Sequence, residues 1–141
     1  MAKISSFREL VVWQVSMEVV VDCYALTTRF PTEERYGLAR DARRSAVSIP
    51  SNIAEGHNRH SARAYLNHVN IALGSQAELD TQIELAVRLG YVSISDAAPC
   101  QQKLARVGQM LHGLQRSLAP IGVRLCLSLA LLCCLLLHAG S

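Results

Sequence analysis

The sequence contains few aromatic residues: two phenylalanines, four tyrosines and one tryptophan among 141 residues. It also contains only eight glycines and four prolines, whereas half of its residues are hydrophobic. Sheet proteins usually require more aromatic and β-branched residues, and more turn residues. The composition therefore favours helices, and the length allows one domain with one core.

The cysteines lack the paired spacing that is typical of metal sites. No apolar run near the N-terminus has the form of a secretory signal. The five cysteines lie in apolar surroundings, which is typical of reduced thiols that pack as small hydrophobes. They are Cys23, Cys100, Cys126, Cys133 and Cys134. A reducing cytoplasm is therefore the expected location.

The usual catalytic motifs are also absent, including G-x-S-x-G and glycine-rich phosphate loops. A di-iron bundle needs Glu-x-x-His on each of two helices. Histidine follows at that spacing after none of Glu18, Glu55, Glu78 and Glu84. His57 and His60 could approach Glu55, but two loop histidines without a third ligand make a weak metal site. We therefore expect no enzymatic activity, no cofactor and no metal.

Apolar residues recur at helical spacing through four segments. The pattern predicts helices over 7–28, 33–55, 61–89 and from Ser93 or Ser95 to 118. Four amphipathic helices with short connections are typical of an antiparallel up-and-down bundle. Residues 1–118 are therefore expected to form one all-α four-helix bundle domain.

The same spacing predicts the apolar faces of the helices. The first helix has one stripe of Phe7, Leu10, Val11, Gln14, Met17, Val21, Tyr24 and Thr28, adjoined by a second of Trp13, Met17, Val20 and Tyr24. The third helix has Tyr65, Val69, Ala72, Leu73, Leu79, Ile83, Ala86 and Val87, and the fourth has Leu104, Val107, Leu111, Leu114 and Leu118. Wide faces on the first and fourth helices are expected to form subunit contacts.

Two residues interrupt these helices. Pro50 lies inside the second, where its ring clashes with the carbonyl of Ala46 and a hydrogen bond is lost. Either one helix ends near Ser48 and another begins with Pro50, or the helix is continuous and kinked at Pro50, which we favour. Gly74 interrupts the third helix at a cost of about 1 kcal/mol, which indicates that another backbone packs closely there.

Residues 119–141 form an apolar tail to which the pattern assigns no structure. The run 125–137 is apolar except for Ser128, but a membrane span needs about 20 apolar residues. Three interpretations stay open: a buried or interface helix, a disordered tail, and a membrane anchor, which is the least favoured.

Charge is unevenly distributed along the chain. Residues 35–63 contain six arginines and two acidic residues, whereas 64–96 contain four acidic residues and one arginine. These segments either form complementary faces of neighbouring helices or subunits, or include a surface for the phosphates of RNA or DNA. The candidate phosphate contacts are Arg35, Arg40, Arg43, Arg59 and Arg63.

Polar residues also follow one face of the second helix. Arg44, Ser48, Asn52 and Glu55 are spaced by four, four and three residues. In one interpretation they pack against Ser75 and Glu78 of the third helix as a structural polar seam that fixes the register. In the other they form a recognition surface at the centre of a ring. We favour the structural interpretation.

The most distinctive part of the second helix is the string SIPSNIAEG at 48–56. It is accompanied by Phe30-Pro31, Tyr36-Gly37-Leu38, Leu10-Val11-Val12-Trp13-Gln14 and Ile71-Ala72-Leu73-Gly74-Ser75. With these residues, the sequence resembles the four-helix-bundle family of proteins encoded in intervening sequences of bacterial 23S ribosomal RNA genes, also called the S23 ribosomal protein family. The resemblance covers about residues 7–118.

This resemblance implies a bundle that assembles into a ring, a homopentamer, without enzymatic activity. It also implies kinship with accessory proteins of diversity-generating retroelements, which bind a reverse transcriptase and nucleic acid. The sequence departs from the family at Asp41, where glutamine is typical, at Ser45, where alanine is typical, and in its apolar tail. The predicted function is an oligomeric scaffold or adaptor, and the alternative is a nucleic-acid-binding accessory protein.

Overall fold

The computed structural model describes residues 5–119, and in this range the chain is helical without strands. Its four long helices are α1 Val11–Thr27, α2 Leu38–His57, α3 Ala62–Arg88 and α4 Ile94–Leu118, with short 3-10 helices at Phe7–Glu9 and Thr32–Tyr36. Each long helix packs against the next, and α1 packs against α4. The predicted up-and-down four-helix bundle is confirmed.

The start of α2 differs from the prediction, which placed it at residue 33. Residues 32–36 form a separate 3-10 helix because the backbone of Gly37 leaves helical geometry, with φ −107° and ψ −120°. α2 then begins at Leu38, whose N–H donates to the carboxylate of Glu34 at 2.8 Å. This side chain satisfies one of the amides that every helix leaves free at its first turn.

α2 is continuous through Pro50, as predicted, and Pro50 itself is buried. Side chains that follow the proline bond to carbonyls of the preceding turn. The hydroxyl of Ser51 donates to the carbonyl of Val47 at 2.8 Å, and the amide of Asn52 donates to that of Ser48 at 2.9 Å. α2 therefore extends the same face on both sides of the proline.

α1 buries a different face from the one that heptad spacing indicated. Its buried residues are Val12, Val15, Ser16, Val19, Cys23, Leu26 and Thr27. Ser16 and Thr27 can be buried because their hydroxyls donate to carbonyls of their own helix, at 2.7 and 2.8 Å. Much of the predicted stripe, in contrast, is exposed: Val11, Met17, Val21 and Tyr24.

The predicted faces of α3 and α4 do form the core. Leu79 and Ile83 of α3 pack with Leu104, Val107 and Leu111 of α4, and all five are buried. Side-chain hydroxyls cap both helices at the expected serines: Ser61 accepts from the amide of Ala64, and Ser93 accepts from that of Asp96.

The close helix contact predicted at Gly74 is wrong within the described chain. No atom of a neighbouring helix lies within 4 Å of the position that a Cβ would occupy there, whereas a Cβ on Gly56 would lie 2.7 Å from the ring of Tyr65 and 2.9 Å from the Cβ of His68. Gly56 is therefore the residue that allows α2 and α3 to approach each other near the turn that joins them.

The predicted domain limit at 118 and the interpretations of the tail concern residues 120–141, which lie outside the described residues. Between residues 5 and 119, no helix has the combined length and hydropathy needed to cross a bilayer.

A candidate polar site between α2 and α3

A chain of polar contacts runs along the interface between α2 and α3. The hydroxyl of Ser75 donates to that of Ser48 at 2.8 Å, and the amide of Asn52 bonds the same serine. Nδ1 of His68 lies 3.1 Å from Oδ1 of Asn52, and its Nε2 lies 3.7 Å from the carboxylate of Glu55. The structure thus joins Ser48, Asn52, Glu55 and Ser75 of the polar seam in one chain of contacts, in which His68 links Asn52 to Glu55.

The same interface opens into a polar groove of about 490 Å³. Ser45 is buried beside it and donates its hydroxyl to Glu78 at 3.2 Å, while Arg40 and Arg44 line its edge. The side-chain oxygen of Gln82 is buried without a hydrogen-bond partner among the described residues. The groove therefore offers serine hydroxyls and guanidinium groups to a polar ligand or partner.

Two of the five candidate phosphate contacts are paired with neighbouring carboxylates. Nη2 of Arg40 lies 2.9 Å from the carboxylate of Asp41, and Arg59 forms an ion pair with Glu55 one helical turn away. Such exposed pairs contribute little stability, at most about 1 kcal/mol each, but they reduce the positive charge available to phosphates. Asp41, one of the departures from the family, thus offsets Arg40.

The other three candidates do not form one cluster. Arg43 is tied to α1, because its Nε donates to the hydroxyl of Thr27 at 2.8 Å and its guanidinium lies 4.9 Å from the ring centre of Tyr24. Arg35 and Arg63 lie beyond opposite ends of α2, which has 20 residues and is therefore about 30 Å long. A single copy of the chain has no compact patch that contains all five arginines.

Phe30, Glu34 and Tyr91 close the end of the bundle where α2 begins. One carboxylate oxygen of Glu34 accepts from the amide of Leu38, and the other accepts from the hydroxyl of Tyr91 at 2.9 Å. The hydrogen bond to Glu34 raises the pKa of Tyr91. The ring of Tyr91 lies 5.7 Å from that of Phe30. The contacts of Phe30, Glu34 and Tyr91 are thus structural.

The buried thiols are poorly suited to nucleophilic chemistry. Burial raises the pKa of Cys23 to about 12 and that of Cys100 to about 11, so both remain protonated at neutral pH and lack the reactive thiolate form. Within residues 5–119 no group of three or more histidine, cysteine or acidic side chains could hold a metal ion.

His68 is the member of this site that the sequence analysis missed. It lies three residues after Tyr65 and four before Ala72, both of which were assigned to the packed face of α3. Helical spacing therefore contained a signal for its inward position. Its contact with Asn52 depends on the register between α2 and α3, and that register cannot be predicted from the spacing of residues along one helix.

The structural comparison gives a match for the bundle. The chain is similar to a crystal structure of a protein of unknown function from the S23 ribosomal protein family of Bacteroides thetaiotaomicron VPI-5482, with a TM-score of 0.70 and 24% sequence identity. The match covers 74% of this chain and 98% of that one. At this identity it shows the fold alone. No curated protein matches the sequence.

The family comparison covers most of the bundle. The family model described as "23S rRNA-intervening sequence protein" matches residues 8–113, which include the string at 48–56, the closing contacts of Glu34 and the polar chain between α2 and α3. The chain therefore belongs to the 23S rRNA-intervening sequence protein family.

Proposed function

We propose that the chain is a non-enzymatic scaffold or adaptor that assembles into a ring, a pentamer, through the outer surface of α1. The proposal rests on one observation: four large apolar side chains on α1 are exposed, with exposed fractions of 52% for Val11, 40% for Met17, 67% for Val21 and 45% for Tyr24. We call these four residues the outer stripe. Three of them, Met17, Val21 and Tyr24, follow at steps of four and three residues and so lie on one face of α1. Contiguous exposed apolar surface of this kind marks protein–protein contacts.

A closed ring of five copies needs two unlike surfaces on each copy, because each subunit must meet one neighbour on either side. The outer stripe supplies one of them. α3 supplies a candidate for the other, since Ile71 and Leu85 are exposed on either side of Gly74, where the surface is open. The backbone contact expected at Gly74 would then form between copies. α4 is less suited than predicted, because Leu104, Val107 and Leu111 are used in the core.

The proposal predicts that Val21→Asp dissociates the assembly. Val21 is the most exposed valine of the stripe, and a carboxylate in its place would be buried without a partner in the subunit contact. Burying an unpaired charge costs far more free energy than leaving it in water on a monomer. We expect sedimentation velocity at micromolar concentration to show the mass of one chain, 15.4 kDa, for Val21→Asp and a multiple of it for the wild type.

The control is Ile94→Asp, which places the same charge at an exposed aliphatic residue of α4, outside the outer stripe. We expect this variant to keep the wild-type mass. If Val21→Asp also keeps the wild-type mass, or if Ile94→Asp alone dissociates the assembly, the outer stripe is not the subunit contact.

Nucleic-acid binding is the second candidate function. The observation that favours it is the polar groove, where Arg40 and Arg44 lie beside the hydroxyls of Ser45 and Ser48. A ring would repeat this groove in every copy and so multiply the arginines that one copy keeps apart. A reverse transcriptase or other protein partner could bind the same scaffold.

Binding through phosphates should weaken steeply with salt, because each neutralised phosphate releases counterions. For five contacts we expect a loss of affinity of roughly 10²–10³-fold between 50 and 200 mM salt in gel-shift titrations with structured RNA and DNA. The double variant Arg40→Gln/Arg44→Gln should reduce this salt dependence, whereas Arg116→Gln, near the end of α4, should not. Absent or salt-independent binding by the assembled protein would contradict this function.

A further inference from the structure

An apolar groove lies between α1 and α2 on the outside of the bundle. Trp13, Met17 and Val20 form its α1 side, and Phe7 of the preceding 3-10 helix closes one end. Val47 and Pro50 lie on its α2 side, and its volume is about 370 Å³. The rings of Phe7 and Trp13 meet edge to face, with their centres 5.3 Å apart. We call this surface the α1–α2 groove. It shares Met17 with the outer stripe and has no other residue in common with it.

One segment of the same chain has matching chemistry. Residues 125–137 are apolar except for Ser128, so exposing their side chains to water costs free energy. It is also shorter than the roughly 20 residues that a bilayer span requires. We propose that residues 125–137 occupy the α1–α2 groove of their own chain. This inference does not depend on the proposed assembly.

The position of the end of α4 supports this assignment. Nζ of Lys103 on α4 lies 2.9 Å from the carboxylate of Asp22 on α1, which places these residues at the same level of the bundle. Fifteen residues separate Lys103 from Leu118, where α4 ends, and eleven separate Asp22 from Val11, where α1 begins. Because α1 and α4 are antiparallel neighbours, α4 ends about one turn beyond the start of α1, at the same end of the bundle as Phe7.

The chain also turns away from α4 at the right place. Ala119 already has an extended backbone, with φ −66° and ψ 139°, as expected for a residue that precedes a proline. Residues 119–124 could span up to about 20 Å when extended, whereas packed helix axes lie about 8–10 Å apart. This connection is therefore long enough to pass from the end of α4 to the far side of α1.

The length of the segment is also sufficient for the groove. On α1 the groove runs from Trp13 to Val20, which is seven residue steps or about 10 Å of helix. The thirteen residues of 125–137 are long enough to cover it. A segment of the same chain also has an advantage over a second copy, because a short linker gives it a millimolar effective concentration.

Cysteine reactivity in the full chain tests the proposal. The segment contains three cysteines, Cys126, Cys133 and Cys134. Their modification by a maleimide can be followed residue by residue by mass spectrometry. We expect the wild type to protect them about tenfold or more relative to the denatured chain. Val47→Asp, which places a charge in the groove, should remove this protection. Val21→Asp, outside the groove, should leave it intact even if the assembly dissociates.

A reciprocal measurement uses Trp13, the single tryptophan of the chain. Leu129→Asp in the full chain should increase the quenching of its fluorescence by acrylamide at least about twofold, because the groove would then be uncovered. Ser128→Asp, which changes the one polar position of the segment, is the matched control and should have a smaller effect.

Each other outcome contradicts the proposal. Unprotected tail cysteines in the wild type would mean that the segment is free. Protection that survives Val47→Asp would place the segment elsewhere, and protection that is lost in Val21→Asp would place it at the subunit contact. Because Val21→Asp also reports on assembly through its mass, failure of the groove proposal and failure of the assembly proposal give different results.

Discussion

Replacing Ile53 with alanine is expected to destabilise the bundle by about 2–5 kcal/mol, the usual range for removing a large aliphatic side chain from a packed core. Ile53 is completely buried and follows Pro50 on α2. The expected cost therefore depends on α2 keeping its register beyond the proline. Urea denaturation at one fixed protein concentration measures the change, because the stability of an assembling protein varies with concentration.

The control for this variant is Ile94→Ala, at the first residue of α4. Ile94 is 75% exposed, so the same chemical change should alter the free energy of unfolding by no more than about 0.5 kcal/mol. Equal effects of the two variants would mean that the segment after Pro50 does not pack as described. A second helix that restarted at Pro50 would not hold Ile53 in the core that it shares with Leu79 and Leu104.

Replacing Gly56 with alanine is expected to destabilise the protein by about 1–3 kcal/mol, as overpacking of a close contact does. The added methyl group would lie 2.7 Å from the ring of Tyr65 and 2.9 Å from the Cβ of His68. The Cβ of His68 is held by the α3 backbone, so it cannot move aside as the end of a long side chain could. α2 and α3 would have to separate, which would also lengthen the contact between His68 and Asn52.

The matched substitution is Gly113→Ala on α4. Its new methyl group would have no neighbour closer than 4.0 Å, so the higher helix propensity of alanine should stabilise the protein by about 0.5–1 kcal/mol. The two variants should therefore shift the urea midpoint in opposite directions. If Gly56→Ala stabilises the protein as Gly113→Ala does, the close approach of α2 and α3 is not a requirement of this fold.

The parts of the fold that follow from one helix at a time could be predicted from the sequence. α3 and α4 each have one apolar face and a polar opposite face, so spacing alone identified the core positions Leu79, Ile83, Leu104 and Leu111. The caps at Ser61 and Ser93 were also local signals, because a hydroxyl before a helix bonds an amide of its first turn. The sequence pattern was sufficient wherever the two faces of a helix differed.

The predicted face of α1 was wrong at Val11, Met17, Val21 and Tyr24 because this helix is apolar on nearly every side. Three other predicted residues do pack against the core: Leu10, Trp13 and Val20. Periodicity cannot choose between Val12, Val15 and Val19, which are buried, and Val11 and Val21, which are exposed. Burial depends instead on which face α2 and α4 can approach. That face includes small side chains and hydroxyls that donate to carbonyls of their own helix, as those of Ser16 and Thr27 do. The apolar residues left outside are those on which the proposed assembly depends.

The polar seam was partly predictable for a similar reason. Steps of three and four placed Ser48, Asn52 and Glu55 on one face of α2, and the structure brings them to α3. The partner His68 could be placed only with the register between the two helices, which Gly56 and the short turn after it determine. The position of Arg44 at the edge of the groove likewise depends on how α3 passes α2.

The most direct test of the assembly is the mass of the wild-type full chain in solution, measured by light scattering across a range of micromolar concentrations. The outer stripe of α1 predicts a stable multiple of 15.4 kDa, and the ring proposed for the chain predicts five copies. A mass of one chain throughout that concentration range would contradict the assembly and, with it, the proposed scaffold function.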